Sequence, residues 1–172
     1  KDGYVAMEAE HYFSATAPEG TEWTVYPYYG RTCSAVALTP YTKAVGNAAL
    51  TYQFTLPVES SKVKVHVVTK STLDFLNVGG FEYAVSLDSG EAQVVNFNKT
   101  LVDRQPYMYS EYYPAVASRV VEKVVELPVT SHEVHTVTIQ PKHPGIVFEK
   151  IVVDAGGYQP HFLFGQESPC KR

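Results

Sequence analysis

Residues 4–12 read Tyr-Val-Ala-Met-Glu-Ala-Glu-His-Tyr, an alternating pattern near the start of the chain. Alternate side chains of a β-strand share a face, so the pattern predicts a strand with one apolar side and one acidic side. The acidic side carries Glu8 and Glu10. Two carboxylates on one face repel each other unless water, a cation or a hydrogen-bond donor compensates them. The stretch therefore predicts either two solvated glutamates on an exposed edge or two ligands for a hard cation such as calcium.

The same two-residue period recurs along the chain and predicts an all-β fold. Residues 48–56, 61–69 and 133–140 alternate apolar and polar side chains, and residues 146–154 predict a further strand that ends at Ala155-Gly156-Gly157. Residues 81–87 and 92–97 flank a turn at 88–90 and predict a β-hairpin. Residues 119–129 fit a short helix or a strand, and their many valines favour the strand. About ten short strands, without a repeat or a linker, predict one β-sandwich domain over residues 1–172.

Composition limits the partners of the chain. The 172 residues suffice for one domain with a sizeable core. The net charge is −4 and no basic stripe is present, so nucleic acid is not expected as a partner. No apolar run reaches membrane-spanning length, so we expect no membrane partner either.

Several features predict a secreted origin, extracellular or periplasmic. The chain begins at Lys1 without a signal peptide, as expected of a processed chain or of a domain excised from a larger protein. Asn98-Lys99-Thr100 is a glycosylation sequon. Cys33 and Cys170 are far apart in sequence, and whether they pair is left open.

Two groups of aromatic residues are candidate ligand-binding surfaces, because tyrosine offers an apolar ring with a polar tip. The first group is Trp23, Tyr26, Tyr28 and Tyr29, next to Arg31. The second is Tyr107, Tyr109, Tyr112 and Tyr113, in a segment that we predict to be a loop. The rings would stack on sugar C–H faces, and Arg31 would pair with a uronic-acid carboxylate. Alternatively, Trp23 and Tyr29 belong to the core or to a domain contact, and Arg31 is a structural partner of a carboxylate.

No catalytic centre is predicted. A glycosidase needs two carboxylates flanking the substrate, and the carboxylates that would cluster here are those assigned to a cation. No Gly-x-Ser-x-Gly motif is present, and the six histidines show no metal-ligand spacing. His66 and His135 are expected to be surface residues or satisfied core residues.

A Glu-Ala-Glu on the opening strand and Asp154 at the end of the last strand resemble jelly-roll carbohydrate-binding modules of families 6 and 35. The resemblance implies that the first and last strands meet, giving a jelly-roll sandwich of antiparallel strands. It also implies that Glu8, Glu10 and Asp154 hold a structural calcium. Backbone oxygens near residues 30–32 would complete the calcium shell.

A closer resemblance covers nearly the whole chain and is to the C-terminal domain of glycoside hydrolase family 115, the xylan α-1,2-glucuronidases. Its blocks are residues 8–12, Trp23, residues 29–36, residues 81–88, residues 135–138 and residues 144–154 with Gly156-Gly157. The resemblance implies that this chain is an accessory domain. The catalytic centre of the family lies in upstream domains. The tail at residues 161–168 lacks the proline pair usual in that family, and the stretch 107–113 matches no pattern of the family.

Two functions follow from these resemblances. The first is a non-catalytic carbohydrate-binding module that recognises an acidic, uronic-acid-bearing polysaccharide and targets an attached glycoside hydrolase to it. The second is a structural accessory domain that packs on, or dimerises, the catalytic part of a glucuronidase and has no affinity for free sugar.

Overall fold

The structure is a computed structural model and describes residues 3–30, 34–159 and 167–168. Its described residues form eleven strands in two antiparallel sheets. In chain order the strands are β1 (Tyr4–Glu8), β2 (Ser14–Thr16), β3 (Glu22–Tyr26), β4 (Ala35–Thr39), β5 (Ala49–Phe54), β6 (Lys62–Lys70), β7 (Glu82–Leu87), β8 (Gln93–Asn96), β9 (Val120–Pro128), β10 (His135–Pro141) and β11 (Val147–Asp154). The predicted all-β sandwich of about ten strands is confirmed.

The first sheet has the order β3-β4-β11-β6-β9, and β1 also pairs with β11. The second sheet has the order β2-β5-β10-β7-β8. The pairing of β1 with β11 is antiparallel and places Tyr4 opposite Asp154 and Glu8 opposite Lys150. The expectation that the first and last strands meet is therefore confirmed.

The core lies between the two sheets and follows the two-residue period. Its inward side chains include Met7 and Ala9 of the opening segment, with Val5 packed against them. The valines of β6 and the alternate apolar residues of β5 are also inward: Val63, Val65, Val67, Leu50, Tyr52 and Phe54. The ambiguous stretch 119–129 contains strand β9, in which Val121 and Val125 are buried in this core.

One predicted loop is helical. Met108–Tyr112 form a turn of π-helix, and helix α1 follows it at Tyr113–Ser118. Pro114 is tolerated because backbone N–H groups in a first helical turn have no partner within the helix. Arg119, with a φ of 62°, ends the helix. No helix of the described residues is long and apolar enough to cross a membrane.

The strand connections gather at two ends of the sandwich. The tyrosine end, as we name it, carries the connections β6–β7, β8–β9 and β10–β11, which include residues 107–113. The serine end carries the connections β5–β6 and β9–β10 and the turn between β7 and β8. Strand β6 runs from one end to the other over nine residues, which corresponds to about 26 Å.

Candidate functional site

Glu8 lies on the outer face of the first sheet, as predicted, but it is buried there. Its side chain is 7% exposed, and Oε1 lies 3.1 Å from the Nζ atom of Lys150, whose side chain is 1% exposed. The backbone N–H of Glu8 donates to Oε1 of Glu167 at 3.1 Å. Lys150, which is opposite Glu8 in the strand register, thus compensates the negative charge of Glu8 with its ammonium group.

The other two predicted calcium ligands are Glu10, in the turn after β1, and Asp154, at the end of β11. Strand β1 ends at Glu8, and Glu10 lies in a turn in which His11 N–H donates to the Glu8 carbonyl at 3.0 Å. Asp154 is opposite Tyr4, four register positions from Glu8, which corresponds to about 13 Å along the strand. Asp154 Oδ1 accepts hydrogen bonds from the N–H groups of Gly156 at 2.7 Å and Tyr158 at 3.3 Å.

The described residues do not bring Glu8 and Asp154 together. Antiparallel register separates Glu8 from Asp154, and among the described residues no group of three histidine, cysteine or acidic side chains is suited to a metal ion. The backbone oxygens expected to complete the calcium shell belong to residues 30–32, of which Arg31 and Thr32 lie outside the described residues. Cys33 and Cys170 also lie outside them. Calcium binding stays a prediction.

A second ion pair lies beside the first. Lys70 Nζ is 3.0 Å from Oε1 of Glu149, which is almost completely buried. Glu149 lies where the pairing of β11 with β6 shifts its register, between Phe148 and Lys150. Lys70 Nζ also lies 4.7 Å from the centroid of the Tyr29 ring, a cation–π contact. This pair therefore connects the buried charges to the first aromatic group.

Trp23 has the contacts of a structural residue. Its Nε1–H donates to the carbonyl of Thr16 at 2.8 Å, and its ring lies 6.3 Å from that of Phe148. It packs against two clusters of buried apolar side chains. This placement favours the alternative in which Trp23 belongs to the core.

The tyrosines after Trp23 lie nearer the surface. The rings of Tyr26 and Tyr29 are 5.9 Å apart, and Tyr26 Oη is 3.3 Å from Oη of Tyr41. Burial and the hydrogen bond to Tyr26 raise the pKa of Tyr41 above its ordinary value. Tyr28 is 94% exposed with a φ of 57°. Sequence reasoning missed Tyr41, because it follows the break at Pro40 and belongs to no aromatic run.

The second aromatic group lies on the helical segment at the tyrosine end. Tyr109 and Tyr113 are four residues apart, so they share a helix face, and their rings are 5.6 Å apart at 61°. Tyr109 is 70% exposed and Tyr113 is 44% exposed. The ring centroids of Tyr112 and Tyr113 are 5.6 Å apart, and Tyr107 immediately precedes the π-helical turn. The two exposed rings form a surface on which a sugar ring can stack.

Polar contacts hold this helical segment against the sandwich. The carboxylate of Glu111 accepts a hydrogen bond from the Thr100 hydroxyl and lies 3.5 Å from Nζ of Lys123 in β9. The Glu111 side chain therefore links the helical segment to strand β9, which serves as the base from which the tyrosines are presented. This base favours binding because fewer side chains and loops need to be ordered by the ligand.

An exposed apolar loop at the same end was missed by sequence reasoning. The β6–β7 connection exposes Leu73, Phe75, Leu76 and Val78. The Asp74 carboxylate fixes this loop by accepting N–H groups of Val78 at 3.1 Å and of Gly79 and Gly80 at 2.8 Å each. The Phe75 ring contacts Phe81 at 4.9 Å, and His143 stacks on the same Phe81. The sequence signal that would have predicted this exposed loop is the group of apolar residues around Asp74 and the glycines Gly79 and Gly80.

Two facing antiparallel sheets, with the first strand paired to the last, define a jelly-roll β-sandwich of the carbohydrate-binding-module type. Solved structures share this fold. A family 35 carbohydrate-binding module from Clostridium thermocellum is 13% identical, with a TM-score of 0.55 over 87% of this chain and 98% of that chain. The C-terminal family 6 module of LamC, a laminarinase from Zobellia galactanivorans, is 11% identical, with a TM-score of 0.52 over 88% of this chain and 98% of that chain.

The family model of the glycosyl hydrolase family 115 C-terminal domain matches residues 1–167, and the chain belongs to that family. A solved family 115 4-O-methyl-α-glucuronidase, with specificity for decorated arabinogalactans, is 16% identical, with a TM-score of 0.69 over 89% of this chain. This chain spans 18% of that protein's length. No curated protein matches the sequence. Both resemblances expected from the sequence are confirmed.

Proposed function

We propose that this domain is a non-catalytic carbohydrate-binding module that holds an attached glycoside hydrolase on an acidic polysaccharide. The observation that carries the proposal is the pair of exposed rings of Tyr109 and Tyr113 on a fixed helical segment at one end of the sandwich. Sugar rings present C–H faces that stack on such aromatic surfaces, while their hydroxyl groups bind nearby polar atoms. The proposal implies a secreted protein.

The proposed preference for uronic acids needs a cation in the binding site. Arg31, which follows the first aromatic group in the sequence, is our candidate, because a guanidinium group pairs with a carboxylate through two parallel hydrogen bonds. Lys70 lies next to Tyr29, but Glu149 already compensates much of its charge. Glucuronic-acid-decorated xylan is therefore the first ligand to test.

The test is a glycan array and calorimetry with the purified domain, using glucuronoxylan and other acidic and neutral polysaccharides. We expect uronic-acid-bearing glycans to bind. The double variant Tyr109→Ala with Tyr113→Ala should weaken this binding by about tenfold or more, which corresponds to about 1.4 kcal/mol. The matched control is Phe13→Ala, which removes an exposed ring outside both tyrosine groups. Equal loss in both variants, or no binding to any glycan, would reject the proposal.

A second function is supported by the exposed loop at residues 73–78. Its four exposed apolar side chains suit a contact with another protein surface, and the chain spans 18% of a solved family 115 enzyme. In this alternative the domain packs on the catalytic part of a glucuronidase, or dimerises it, without free-sugar affinity. A folded domain that binds no glycan and whose affinity for the catalytic part falls in Phe75→Ser would support it.

Calcium binding has a separate test, because a metal that binds only the folded state raises the melting temperature. Thermal denaturation would be compared in calcium and in chelator for the wild type, Glu8→Ala and Glu10→Ala. A rise in calcium that both variants lack would support calcium binding at these glutamates. The same response in all three proteins would remove them as ligands.

A further inference from the structure

The serine end of the sandwich contains a cleft that none of the assigned functions uses. It has a volume of about 670 Å³, within the range of small-molecule sites, and lies between the β5–β6 and β9–β10 connections. Its lining includes Val58, Ser61, Thr130, Ser131, His132 and His135. The length of β6 places it about 26 Å from the tyrosine end. A ligand in this cleft would therefore not touch the exposed tyrosines.

His135 is held rigidly at this cleft. It is 3% exposed, its Nδ1 lies 3.0 Å from Oδ2 of Asp88, and its ring stacks on Phe54 at 5.6 Å. Asp88 is itself held, since Oδ1 accepts the N–H of Thr136 at 2.8 Å. Asp88 engages Nδ1, so Nε2 is the ring nitrogen left to meet a ligand. Within the described residues Nε2 makes no hydrogen bond.

The chemistry of the walls indicates the kind of ligand. Ser61, Thr130 and Ser131 supply hydroxyl groups, and the ring of His132 lies 6.1 Å from that of His135. Val58, next to Leu56 and Pro57, adds an apolar strip. Glu59 and Glu133 also line the cleft, and their negative charges disfavour an anionic ligand. Hydroxyl groups and imidazole edges beside an apolar strip suit a ligand rich in hydroxyl groups and without charge.

We propose that this cleft binds a neutral sugar unit of a polysaccharide. His135 Nε2 forms a hydrogen bond with a sugar hydroxyl, and His132 and the serine hydroxyls supply further polar contacts. The site goes beyond the function proposed above, because it lies at the other end of the domain and prefers uncharged units. A domain with both sites would contact one branched polysaccharide, or two chains, at two points and gain avidity.

The test is an amide NMR titration of the 172-residue chain with neutral xylo-, cello- and galacto-oligosaccharides. We expect saturable shifts at residues 56–61 and 129–135. Ser131→Trp should abolish them by filling the cleft from an exposed loop position, where the fold is not disturbed. His135→Gln should weaken binding by about tenfold or more, because the oriented imidazole is lost.

Two controls separate this proposal from the first. Thr16→Trp adds a ring at an exposed position outside the cleft and should leave the neutral-sugar shifts unchanged. Tyr109→Ala should also leave them unchanged, even if it abolishes binding of acidic glycans. The proposal is overturned if no neutral oligosaccharide shifts the cleft residues, if the shifts are confined to the tyrosine end, or if Ser131→Trp retains them.

Discussion

The Glu8–Lys150 pair is a buried pair of opposite charges that joins the first and last strands. Its two side chains are 7% and 1% exposed, so both groups have lost most of their contact with water. A buried pair adds little over an apolar pair of the same size, but loss of one partner leaves a buried charge with less compensation. The pair thus ties β1 to β11 in one register.

Replacing one member of this pair should be costly. We expect Lys150→Met to lower the free energy of unfolding by about 3–5 kcal/mol in urea denaturation. Adding Glu8→Gln to Lys150→Met should recover part of the loss, because the buried negative charge is removed. The control is Lys62→Met, which breaks a pair with Glu126 whose side chains are 64% and 49% exposed. That change should cost about 1 kcal/mol or less, and equal costs at both lysines would contradict the prediction.

Trp23 should matter for stability and not for sugar binding. We expect Trp23→Ala to lower the free energy of unfolding by about 3 kcal/mol, because its ring fills space between two apolar clusters. Tyr28→Ala, at a residue that is 94% exposed, should change it by less than about 0.5 kcal/mol. Chemical denaturation and calorimetry would measure stability and affinity. A loss of glycan affinity in Trp23→Ala with unchanged stability would reverse this assignment.

At the scale of elements, the free edge of β1 is covered by Glu167 and Ser168. Ser168 N–H donates to the Ala6 carbonyl at 2.8 Å, and Ala6 N–H donates to Ser168 Oγ at 3.0 Å. Glu8 N–H donates to the Glu167 carboxylate at 3.1 Å. An uncovered strand edge is a template for pairing with another chain. Glu167 and Ser168 therefore protect the free edge of β1 from pairing with another chain.

This edge contact carries a pH dependence. His11 Nδ1 lies 2.6 Å from Oε1 of Glu167, and this hydrogen bond raises the pKa of His11 above its ordinary value of 6.5. Because the folded-state pKa is raised, the contribution of the contact is fully present below pH 6.5 and is lost as pH rises through the folded-state pKa. Glu167→Gln should return the pKa of His11 towards 6.5, measured by NMR titration. Glu133→Gln, a control at an exposed carboxylate in another connection, should leave it unchanged; the opposite pattern would refute the contact.

At the scale of the whole molecule, the two ends of the sandwich should behave independently. The cleft at the serine end and the exposed tyrosines are about 26 Å apart, and distant substitutions without shared partners have additive effects. We expect the free-energy changes of unfolding for Ser131→Trp and Tyr109→Ala to sum to that of the double variant within about 0.5 kcal/mol. Urea denaturation of the three variants measures this sum. A larger difference would mean that the two ends are coupled through the core.

Strands with one face in the core were predictable because their side chains repeat every two residues. This holds for β5, β6 and β10, whose inward residues such as Leu50, Val65 and Ile139 are fully buried. Strand β2 was not predicted, since all three of its residues are exposed and no apolar period marks it. The helical segment was also missed, because aromatic residues and Pro114 obscure a helical pattern. Of its four predicted tyrosines, Tyr109 and Tyr113 are exposed, and their role in ligand binding stays a prediction.

The sequence by itself determined the sandwich class, the family and the aromatic composition of the exposed loops. These properties depend on local patterns and on blocks of residues in a given order. Only the tertiary structure decided that Lys150 lies beside Glu8, that Asp154 lies four positions away, and that His135 borders a cleft with Asp88 behind it. The physical reason is that antiparallel register pairs residues that are far apart in the chain, and no local pattern specifies which charges a register brings into contact.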